Sequence, residues 1–455
     1  MEITTKNPAT GEALAQYEVM GTEQALEIAK KVHAAGAGWK KTTFQQRSEL
    51  FKKLAKVLRD NKREYAEMIT REMGKVIRES LGEVEKCAWL AEVLADQGEK
   101  WLAEEPIPAG GKKHVITYEP LGAIYLIMPW NYPFWQPFKV ALVPMYAGNT
   151  IILKHAKNVT GSSMLIEESF RKAGFPQDVF RSVVIDHATS DAIIDSQYVQ
   201  AVSLTGSLAS GMGVASRAGR NIKKTVLELG GSDPFIVLGD ADIDKAAQAA
   251  VAGRMNNSGQ VCIGAKRIIV QKSIAGEFSQ KFAEKVAKLK QGDPMDPETD
   301  IGPLVDEKSL AEMESFVKDA RDKGAQIITG GGRQGGKGAF YKPTIIARTS
   351  AQMRAVSEEV FGPVVPIIIV EDADEAVKIA NDTMFGLGAS VWTRDLAKGE
   401  EVARRLECGG VFVNHISTSH PLLPLGGIKK SGYGRELSHI GIKEFVNAKP
   451  ISIYE

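Results

Sequence analysis

Residues 123–133 read Ala-Ile-Tyr-Leu-Ile-Met-Pro-Trp-Asn-Tyr-Pro, an apolar run that ends at a turn bounded by two prolines. The segment 123–127 predicts a buried strand because it is short, apolar and followed at once by turn residues. The amide of Asn131 is therefore expected just beyond the end of a strand, where it can face a ligand.

From this strand onwards, short apolar segments alternate with helical patterns. Further strands are predicted at 150–153, 181–185, 201–204 and 225–229, with helices such as 162–173 and 207–218 between them. Apolar strands separated by helices are typical of a parallel sheet covered on both faces. The fold class predicted is α/β and doubly wound, with ligands at the carboxyl ends of the strands.

A second alternating series starts near Pro234, whereas the first hundred residues have helical spacing. The second series predicts strands at 235–238, 267–271, 344–346, 364–370, 390–392 and 411–413. The short segments 114–118 and 451–454 alternate like edge strands and are predicted to form a small separate sheet. Exposed sheet edges favour pairing with a partner subunit.

The composition is that of an ordinary globular protein. A chain of 455 residues is too long to fold around a single hydrophobic core. Of these residues, 44% are hydrophobic and 25% are charged. The net charge of +1 gives no reason to expect a nucleic-acid partner. No apolar run is long enough to span a bilayer, and the N-terminus lacks the apolar core of a signal peptide. Three cysteines fit a reducing cytoplasm.

Residues 256–264 read Asn-Asn-Ser-Gly-Gln-Val-Cys-Ile-Gly and set Cys262 between glycines. Glycines let the backbone approach a ligand, and a cysteine in such a loop can act as a thiolate nucleophile. The alternative is a small side chain packed in a core, which is the usual fate of a free cysteine. The loop by itself leaves both interpretations open.

Two polar residues at predicted strand ends could serve that cysteine. Glu228 ends an apolar strand and is followed by paired glycines, an unusual place for a carboxylate. Its burial would raise its pKa towards the range of a general base, although a structural ion pair is the alternative. The neutral amide of Asn131 is suited to stabilising an oxyanion, or else it satisfies the turn backbone.

Three further segments are suited to a nucleotide. Lys154 and Lys157 follow a strand and offer point charges to phosphate groups, unless they are solvated surface lysines. Gly206 and Ser207 lie where a strand runs into a helix, whose N-terminal N–H groups bind phosphate. In the segment Glu358-Glu359-Val-Phe361, a carboxylate can bind sugar hydroxyls and a phenyl ring can pack on a heterocycle.

Together these motifs resemble the NAD(P)-dependent aldehyde dehydrogenase superfamily. The segments P-W-N-Y-P, L-T-G-S, L-E-L-G-G, G-Q-V-C and E-E-V-F-G-P occur in the order and roughly the spacing of that family. The resemblance covers essentially the whole chain. It implies a cofactor-binding domain (1–109 and 122–228), a catalytic domain (229–440) and a bridging oligomerisation sheet (110–121 and 441–455).

The resemblance also implies a role for each matching residue. Cys262 would be the nucleophile, Glu228 the general base and Asn131 the oxyanion donor. The cofactor-binding positions would be Met128, Trp130, Lys154, Lys157, Gly206, Ser207, Leu229, Glu359 and Phe361. No metal site is expected. The assembly implied is a homodimer or homotetramer.

The cofactor predicted is NADP, with NAD as the alternative. Members that prefer NAD tend to have a glutamate three residues after the strand-end lysine, and this chain has Lys157 there. A carboxylate at that position would repel a 2′-phosphate, whereas an ammonium group attracts it.

The substrate predicted is a small aldehyde, with succinate semialdehyde first. The segments K-H-A-x-N, W-N-Y-P-F-W-Q and E-C-G-G-V-F-V-N are most similar to the bacterial succinate-semialdehyde dehydrogenase branch. In that branch an arginine eight residues after the oxyanion asparagine binds the distal carboxylate, and here that residue is Lys139. Trp135 and Ser419 are the other predicted substrate-binding residues.

Three alternatives remain open from the sequence. Glutarate semialdehyde or another small aldehyde could replace succinate semialdehyde as the substrate. A CoA-acylating aldehyde dehydrogenase would pass the acyl group to a thiol, but that branch tends to lack a base at the position of Glu228. The third is an inactive scaffold or a redox sensor built on Cys262.

Overall fold

The computed structural model describes residues 2–455, and its N-terminal part is a hairpin followed by four helices. The elements of this part are β1 (Glu2–Lys6), β2 (Ala13–Glu18), α1 (Thr22–Trp39), α2 (Phe44–Asp60), α3 (Lys62–Met73) and α4 (Ile77–Trp101). The prediction that the first hundred residues are all helical is therefore wrong for the hairpin. Its strands are mostly exposed and polar, so they lack a clear apolar alternation.

The remaining elements include every strand that the sequence predicts, together with five short strands that it does not. The strands are β3 (Glu105–Pro106), β4 (Lys113–Pro120), β5 (Ala123–Met128), β6 (Thr150–His155), β7 (Phe180–Ser182), β8 (Ala201–Thr205), β9 (Lys224–Glu228), β10 (Pro234–Val237), β11 (Arg267–Gln271), β12 (Gln326–Thr329), β13 (Thr344–Ala347), β14 (Val364–Val370), β15 (Phe385–Gly386), β16 (Gly388–Trp392), β17 (Gly410–Val413), β18 (Ile428–Lys429), β19 (Gly432–Tyr433) and β20 (Val446–Ile453). The helices are α5 (Trp135–Tyr146), α6 (Thr160–Lys172), α7 (His187–Asp195), α8 (Leu208–Arg220), α9 (Ile243–Met255), α10 (Ala275–Ala287), α11 (Glu307–Asp322), α12 (Arg354–Ser357), α13 (Ala373–Asn381), α14 (Leu396–Arg405) and α15 (Ser438–Gly441).

The first large sheet has the strand order β19-β9-β8-β5-β6-β7. Its strands are parallel except for the short edge strand β19, which pairs antiparallel with β9. Along β5, Ile124 and Leu126 pack into one hydrophobic cluster, while Tyr125 packs into another on the opposite face. Burial on both faces confirms the doubly wound prediction and explains why these strands are continuously apolar.

The second large sheet has the order β12-β13-β14-β11-β10-β16-β17 and is also covered on both faces. Phe235 and Val237 of β10 pack into one cluster and Ile236 into another. The edge strand β12 runs antiparallel to β13, so this sheet is mixed rather than wholly parallel. An antiparallel edge strand is common on an otherwise parallel sheet.

A small antiparallel sheet of β3, β4 and β20 stands apart from the two large ones. The strands β4 and β20 pair along their whole length, from Lys113 opposite Ile453 to Pro120 opposite Val446. The predicted pairing of 114–118 with 451–454 is therefore confirmed, in a longer register. No helix within residues 2–455 is long and apolar enough to cross a membrane.

Candidate active site

A strained turn leads from α9 to Cys262. Asn257, Ser258 and Gly259 have φ values of 51°, 53° and 77°, a left-handed conformation that is costly for the first two. The turn is held in part by the Asn257 side chain, whose Nδ2 donates to the carbonyl oxygen of Asn131 at 2.8 Å. This bond ties the cysteine loop directly to the turn that follows β5.

Asn131 is 3% exposed and points towards the same loop. One N–H of its Nδ2 donates to the carbonyl oxygen of Gln260 at 3.1 Å, and an amide nitrogen has a second N–H to offer. The side chain therefore presents a neutral donor beside the backbone of the residues just before Cys262.

Glu228 ends β9 and forms a buried ion pair with Lys139 of α5. The distance from Lys139 Nζ to Glu228 Oε2 is 2.7 Å, and the same Nζ contacts a second carboxylate, that of Glu436. Oε1 of Glu228 has no hydrogen-bond partner in the described part of the chain. One oxygen is thus held in place while the other is free to take a proton.

Two members of this cluster, Lys139 and Glu436, have shifted pKa values. Burial would lower the pKa of Lys139, but the charges of Glu228 and Glu436 raise it above its ordinary value. Burial raises the pKa of Glu436 to about 7, and Lys139 opposes that rise. Sequence reasoning missed Glu436, although a charged residue in the segment Gly-Tyr-Gly-Arg-Glu-Leu is a weak signal of a buried role.

The Cys262 thiol is placed among these charges. Burial raises its pKa well above the usual value, and the negative charge of Glu228 raises it further. The positive charges of Lys139 and Lys266 act in the opposite direction. The ionisation of the thiol therefore depends on whether Glu228 carries a charge.

Lys266 is a second buried cation that sequence reasoning missed. Its Nζ donates to the carbonyl oxygens of Gly231 at 2.6 Å and Cys262 at 2.9 Å, and it contacts the carboxylate of Glu359. The only sequence signal is its position before the apolar strand β11, where a lysine must find partners. It connects the cysteine loop to Glu359.

A cavity of about 300 Å³ opens on Cys262. The three predicted substrate-binding residues, Trp135, Lys139 and Ser419, line it together with Lys86 of α4. The Lys139 ammonium group, however, already has two carboxylate partners and is 1% exposed. That Lys139 binds the substrate stays a prediction. Its pairing with the two carboxylates is a competing role for the same ammonium group.

The predicted cofactor residues of the first sheet lie at its carboxyl edge. Met128 ends β5, Lys154 is in β6, Gly206 and Ser207 follow β8, and Leu229 follows β9; Lys157 lies in a short 3₁₀ turn after β6. The Ser207 hydroxyl caps α8 by accepting from the Ser210 N–H at 3.3 Å. This is the edge at which a doubly wound sheet binds its ligand.

Glu359 and Phe361 lie in the segment that leads into β14 of the second sheet, and both contact residues near this edge. The Phe361 ring meets Trp130 edge to face, with centroids 5.8 Å apart. Gly231 donates its N–H to Glu359 at 3.1 Å, so the carboxylate is held by Gly231 and Lys266. A sugar hydroxyl that binds Glu359 would have to share it with these groups.

The charges at the edge fit an anionic dinucleotide. Neither Lys154 nor Lys157 has a carboxylate oxygen within 4 Å among residues 2–455, and Lys157 is exposed. Burial lowers the pKa of Lys154, which nearby Asp186 partly offsets. Two lysines without ion-pair partners at the carboxyl ends of strands are suited to phosphate groups.

Comparison with known proteins relates the whole chain to one family. The model of the aldehyde dehydrogenase family matches residues 1–451. The succinate semialdehyde dehydrogenase [NAD(P)+] Sad of Escherichia coli (strain K12) is 44% identical over 446 residues, which are 98% of this chain and 96% of that protein. A probable succinate-semialdehyde dehydrogenase [NADP(+)] of Synechocystis is 42% identical over 456 residues, with 100% of both chains covered.

Solved structures agree with the sequence relatives. The succinic semialdehyde dehydrogenase of Streptococcus pyogenes, solved in complex with NADP+, superposes with a TM-score of 0.97. It is 35% identical, and the match covers 100% of each chain. A structure described as Gox0499 gives a TM-score of 0.98 at 36% identity, again over 100% of both chains.

We expect Glu228→Gln to make the Cys262 thiol more reactive towards iodoacetamide. Removing the negative charge removes a cause of the raised thiol pKa and leaves Lys139 less neutralised, so more thiolate is present at a given pH. Alkylation of the Cys262 peptide, followed by mass spectrometry at pH 8, should be several-fold faster than in the unmodified protein.

Glu99→Gln, at an exposed position of α4, is the matched control, and Cys262→Ala gives the background from the other two cysteines. An equal or slower alkylation rate in Glu228→Gln would show that the Glu228 charge does not govern the thiol.

Proposed function

The chain belongs to the aldehyde dehydrogenase family, and on this basis we propose that it oxidises succinate semialdehyde to succinate with NADP. The observation that carries the proposal is the placement of three groups around one cavity. Cys262 lines the cavity, Glu228 is paired with the lining residue Lys139, and the Asn131 amide donates to the carbonyl oxygen of Gln260, two residues before Cys262. The substrate and the cofactor are supported by full-length relatives named for them.

The first step is attack by sulfur. Cys262 loses its proton to the free oxygen of Glu228, and the thiolate attacks the aldehyde carbon while the carbonyl electrons move to oxygen. The product is a thiohemiacetal anion bound to Cys262. Lys139 and Lys266 favour the thiolate because both carry positive charge near the sulfur.

The anion needs hydrogen-bond donors in a site from which water is largely excluded. The second N–H of the Asn131 amide is one donor, and the backbone N–H of Cys262 is the other. Both donors are neutral, and they stabilise the negative charge when it forms on the former carbonyl oxygen. The hydrogen bond from Asn257 Nδ2 to the Asn131 carbonyl oxygen fixes the position of one donor relative to the other.

NADP, when bound at the carboxyl edge of the first sheet, would supply the acceptor for the hydride of the aldehyde carbon, and Cys262 would then hold the acyl group as a thioester. Once Glu228 has released to solvent the proton that it took from Cys262, its unpartnered oxygen takes a proton from water, and the water oxygen attacks the thioester carbon. The carbon–sulfur bond breaks, the acid leaves and the thiolate is regenerated. Lys139 holds the other Glu228 oxygen throughout, which fixes the direction of the base.

We further propose that Lys157 selects NADP by attracting its 2′-phosphate. The residue is exposed in the turn after β6, and Lys154 lies three residues before it at the edge of the sheet. Coulomb attraction between the Lys157 ammonium group and the 2′-phosphate would stabilise bound NADP, whereas a carboxylate at this position would repel the phosphate.

The assembly proposed is a homodimer or homotetramer that pairs through the small antiparallel sheet. Ile451, Ile453 and Tyr454 on its last strand and tail are exposed large apolar residues, which favour burial against another subunit.

The domain division proposed follows the sheets: a cofactor-binding domain (1–109 and 122–228), a catalytic domain (229–440) and this sheet (110–121 and 441–455). The three free cysteines fit the proposed cytoplasmic location.

The proposal predicts that NADPH forms from succinate semialdehyde without added CoA. Absorbance at 340 nm, with a panel of aldehydes of equal purity, should give the highest kcat/KM for succinate semialdehyde. Cys262→Ala should give no turnover, because no covalent intermediate can form. A strict requirement for CoA, or a higher kcat/KM for another aldehyde in the panel, would contradict the proposal.

Asn131→Ala should lower kcat on succinate semialdehyde by about 100-fold or more, because one oxyanion donor is lost. Circular dichroism and the thermal midpoint, measured on the same preparation, check that the fold is retained. Turnover near that of the unmodified enzyme would remove Asn131 from the mechanism.

Lys157→Glu should reduce the preference for NADP over NAD, measured as the ratio of kcat/KM values, by about tenfold or more, since attraction for the 2′-phosphate becomes repulsion. Lys157→Met is the matched variant that removes the charge without reversing it, and its ratio should lie between the other two. An unchanged ratio in Lys157→Glu would place the selection elsewhere.

A further inference from the structure

Lys86 of α4 reaches into the cavity that contains Cys262. Its Nζ donates to the Ser419 hydroxyl at 2.7 Å and lies 4.5 Å from the centroid of the Trp135 ring. These two contacts hold the ammonium group at the wall formed by the other two predicted substrate-binding residues. Nothing in the sequence pattern of α4 singled this lysine out.

Lys86 differs from the other lysines near this cavity in having no carboxylate partner. Lys139 is paired with Glu228 and Glu436, and Lys75 is paired with Glu83. Across residues 2–455 no carboxylate oxygen lies within 4 Å of Lys86 Nζ.

The nearest acid on its own helix, Glu83, is fully engaged. One of its oxygens contacts Lys75, and the other accepts the N–H groups of Phe134 at 2.8 Å and Trp135 at 2.9 Å. Its charge is therefore satisfied without Lys86. The positive charge of Lys86 is left available to a molecule in the cavity.

We propose that Lys86, together with Ser419, binds the distal carboxylate of the aldehyde substrate. This assignment rests on the proposed function, and it names the residues that distinguish a carboxylate-bearing aldehyde from a neutral one. An ammonium group has three N–H donors, of which Ser419 takes one. Because the Ser419 oxygen accepts from Lys86, its own O–H is free to donate to the same carboxylate.

Lys139 is less suited to this task because it serves Glu228. A substrate carboxylate on Lys139 would compete with Glu228 and Glu436 for one ammonium group and would add a third negative charge to a buried cluster. With Lys86 as the anion receptor, the substrate brings its charge to an unpaired cation, and the base keeps its counterion.

The surroundings of Lys86 also give the binding a pH dependence. Burial lowers the pKa of Lys86 to about 8; the positive charges of Lys139 and Lys75 also lower it, and the negative charge of Glu83 raises it. The ammonium form is present below pH 8 and is lost above it, so affinity for a carboxylate falls as the pH rises through 8.

One other cavity-lining acid titrates near this range. Burial raises the pKa of Glu79 to about 7, and the carboxyl group accepts the Asn257 N–H at 2.8 Å. Its ionisation below pH 8 acts in the same direction as the loss of charge on Lys86, because a new negative charge repels a bound carboxylate. A variant that lacks only Lys86 distinguishes the contribution of Lys86 to the pH dependence from that of Glu79.

The test compares succinate semialdehyde with its methyl ester, methyl 4-oxobutanoate, which has the same carbonyl group and no charge. Selectivity is the ratio of the two kcat/KM values, measured for the unmodified enzyme and for Lys86→Met, Lys86→Arg, Ser419→Ala and Lys139→Met. Lys100→Met, at an exposed position of the same helix, is the matched control.

Lys86→Met is expected to lower the selectivity for the acid by about 10- to 100-fold, mainly through a higher KM for succinate semialdehyde, because a charge-assisted hydrogen bond is lost. Lys86→Arg should restore most of it, and Ser419→Ala should lose less than Lys86→Met. Lys139→Met should lower kcat with both substrates, because Glu228 loses its counterion. The rise in selectivity on going from pH 9.5 to pH 7.5 should be absent in Lys86→Met.

The result that overturns the inference is full selectivity in Lys86→Met, or loss of selectivity in Lys139→Met instead. Failure of the proposed function looks different, because the unmodified enzyme would then show no preference for the acid over the ester. Binding of succinate as a competitive inhibitor gives an independent reading, and its Ki should rise in Lys86→Met by the same factor as the KM.

Discussion

The buried ion cluster of Glu228, Lys139 and Glu436 is the constraint on which the candidate site depends. Taking such charges out of water costs several kcal/mol each unless they are paired closely. The cluster joins the end of β9, the middle of α5 and the segment after β19. The pairing of β19 with β9, Gly432 opposite Glu228, brings that last segment into place. Losing the lysine would leave two buried carboxylates without a counterion.

The same cluster sets the chemistry of Cys262. The half-buried thiol lies near one negative and two positive groups, and Lys266 connects the Cys262 carbonyl oxygen to the carboxylate of Glu359. Moving a proton from sulfur to Glu228 removes the repulsion that keeps the thiol protonated. The base and the nucleophile therefore assist each other electrostatically, which explains why a carboxylate lies beside a cysteine whose pKa it raises.

Much of the scaffold could be predicted from the sequence, because the buried strands carry a strong local signal. The strand β14 has the predicted ends, and the pairing of β4 with β20 follows from their alternation. The hairpin β1–β2 could not be predicted, since its residues are mostly polar and its stability comes from tertiary contacts. The strand β7 is shorter than the predicted 181–185 because its pairing with β6 covers only three residues.

Most of the charged residues around Cys262 could not be predicted from local sequence patterns. Glu228 and Cys262 stand out because glycines flank them, whereas Glu436, Lys266 and Lys86 are ordinary charged residues until the fold brings them to the cavity. Their roles depend on pairing across large sequence separations, for example 333 residues between Lys86 and Ser419. Periodicity carries no information on such pairs.

The position of Lys139 shows how one substitution can divide a function between two residues. An arginine offers a planar fork of five N–H donors, so it can bind one carboxylate bidentately and still donate elsewhere. A lysine offers three donors from a single nitrogen, and here that nitrogen is already shared by two carboxylates. A chain with lysine at this position therefore needs another cation if its substrate is an acid. Lys86 meets that need because it is on a different helix, faces the same cavity and is bound by a hydroxyl group instead of a carboxylate.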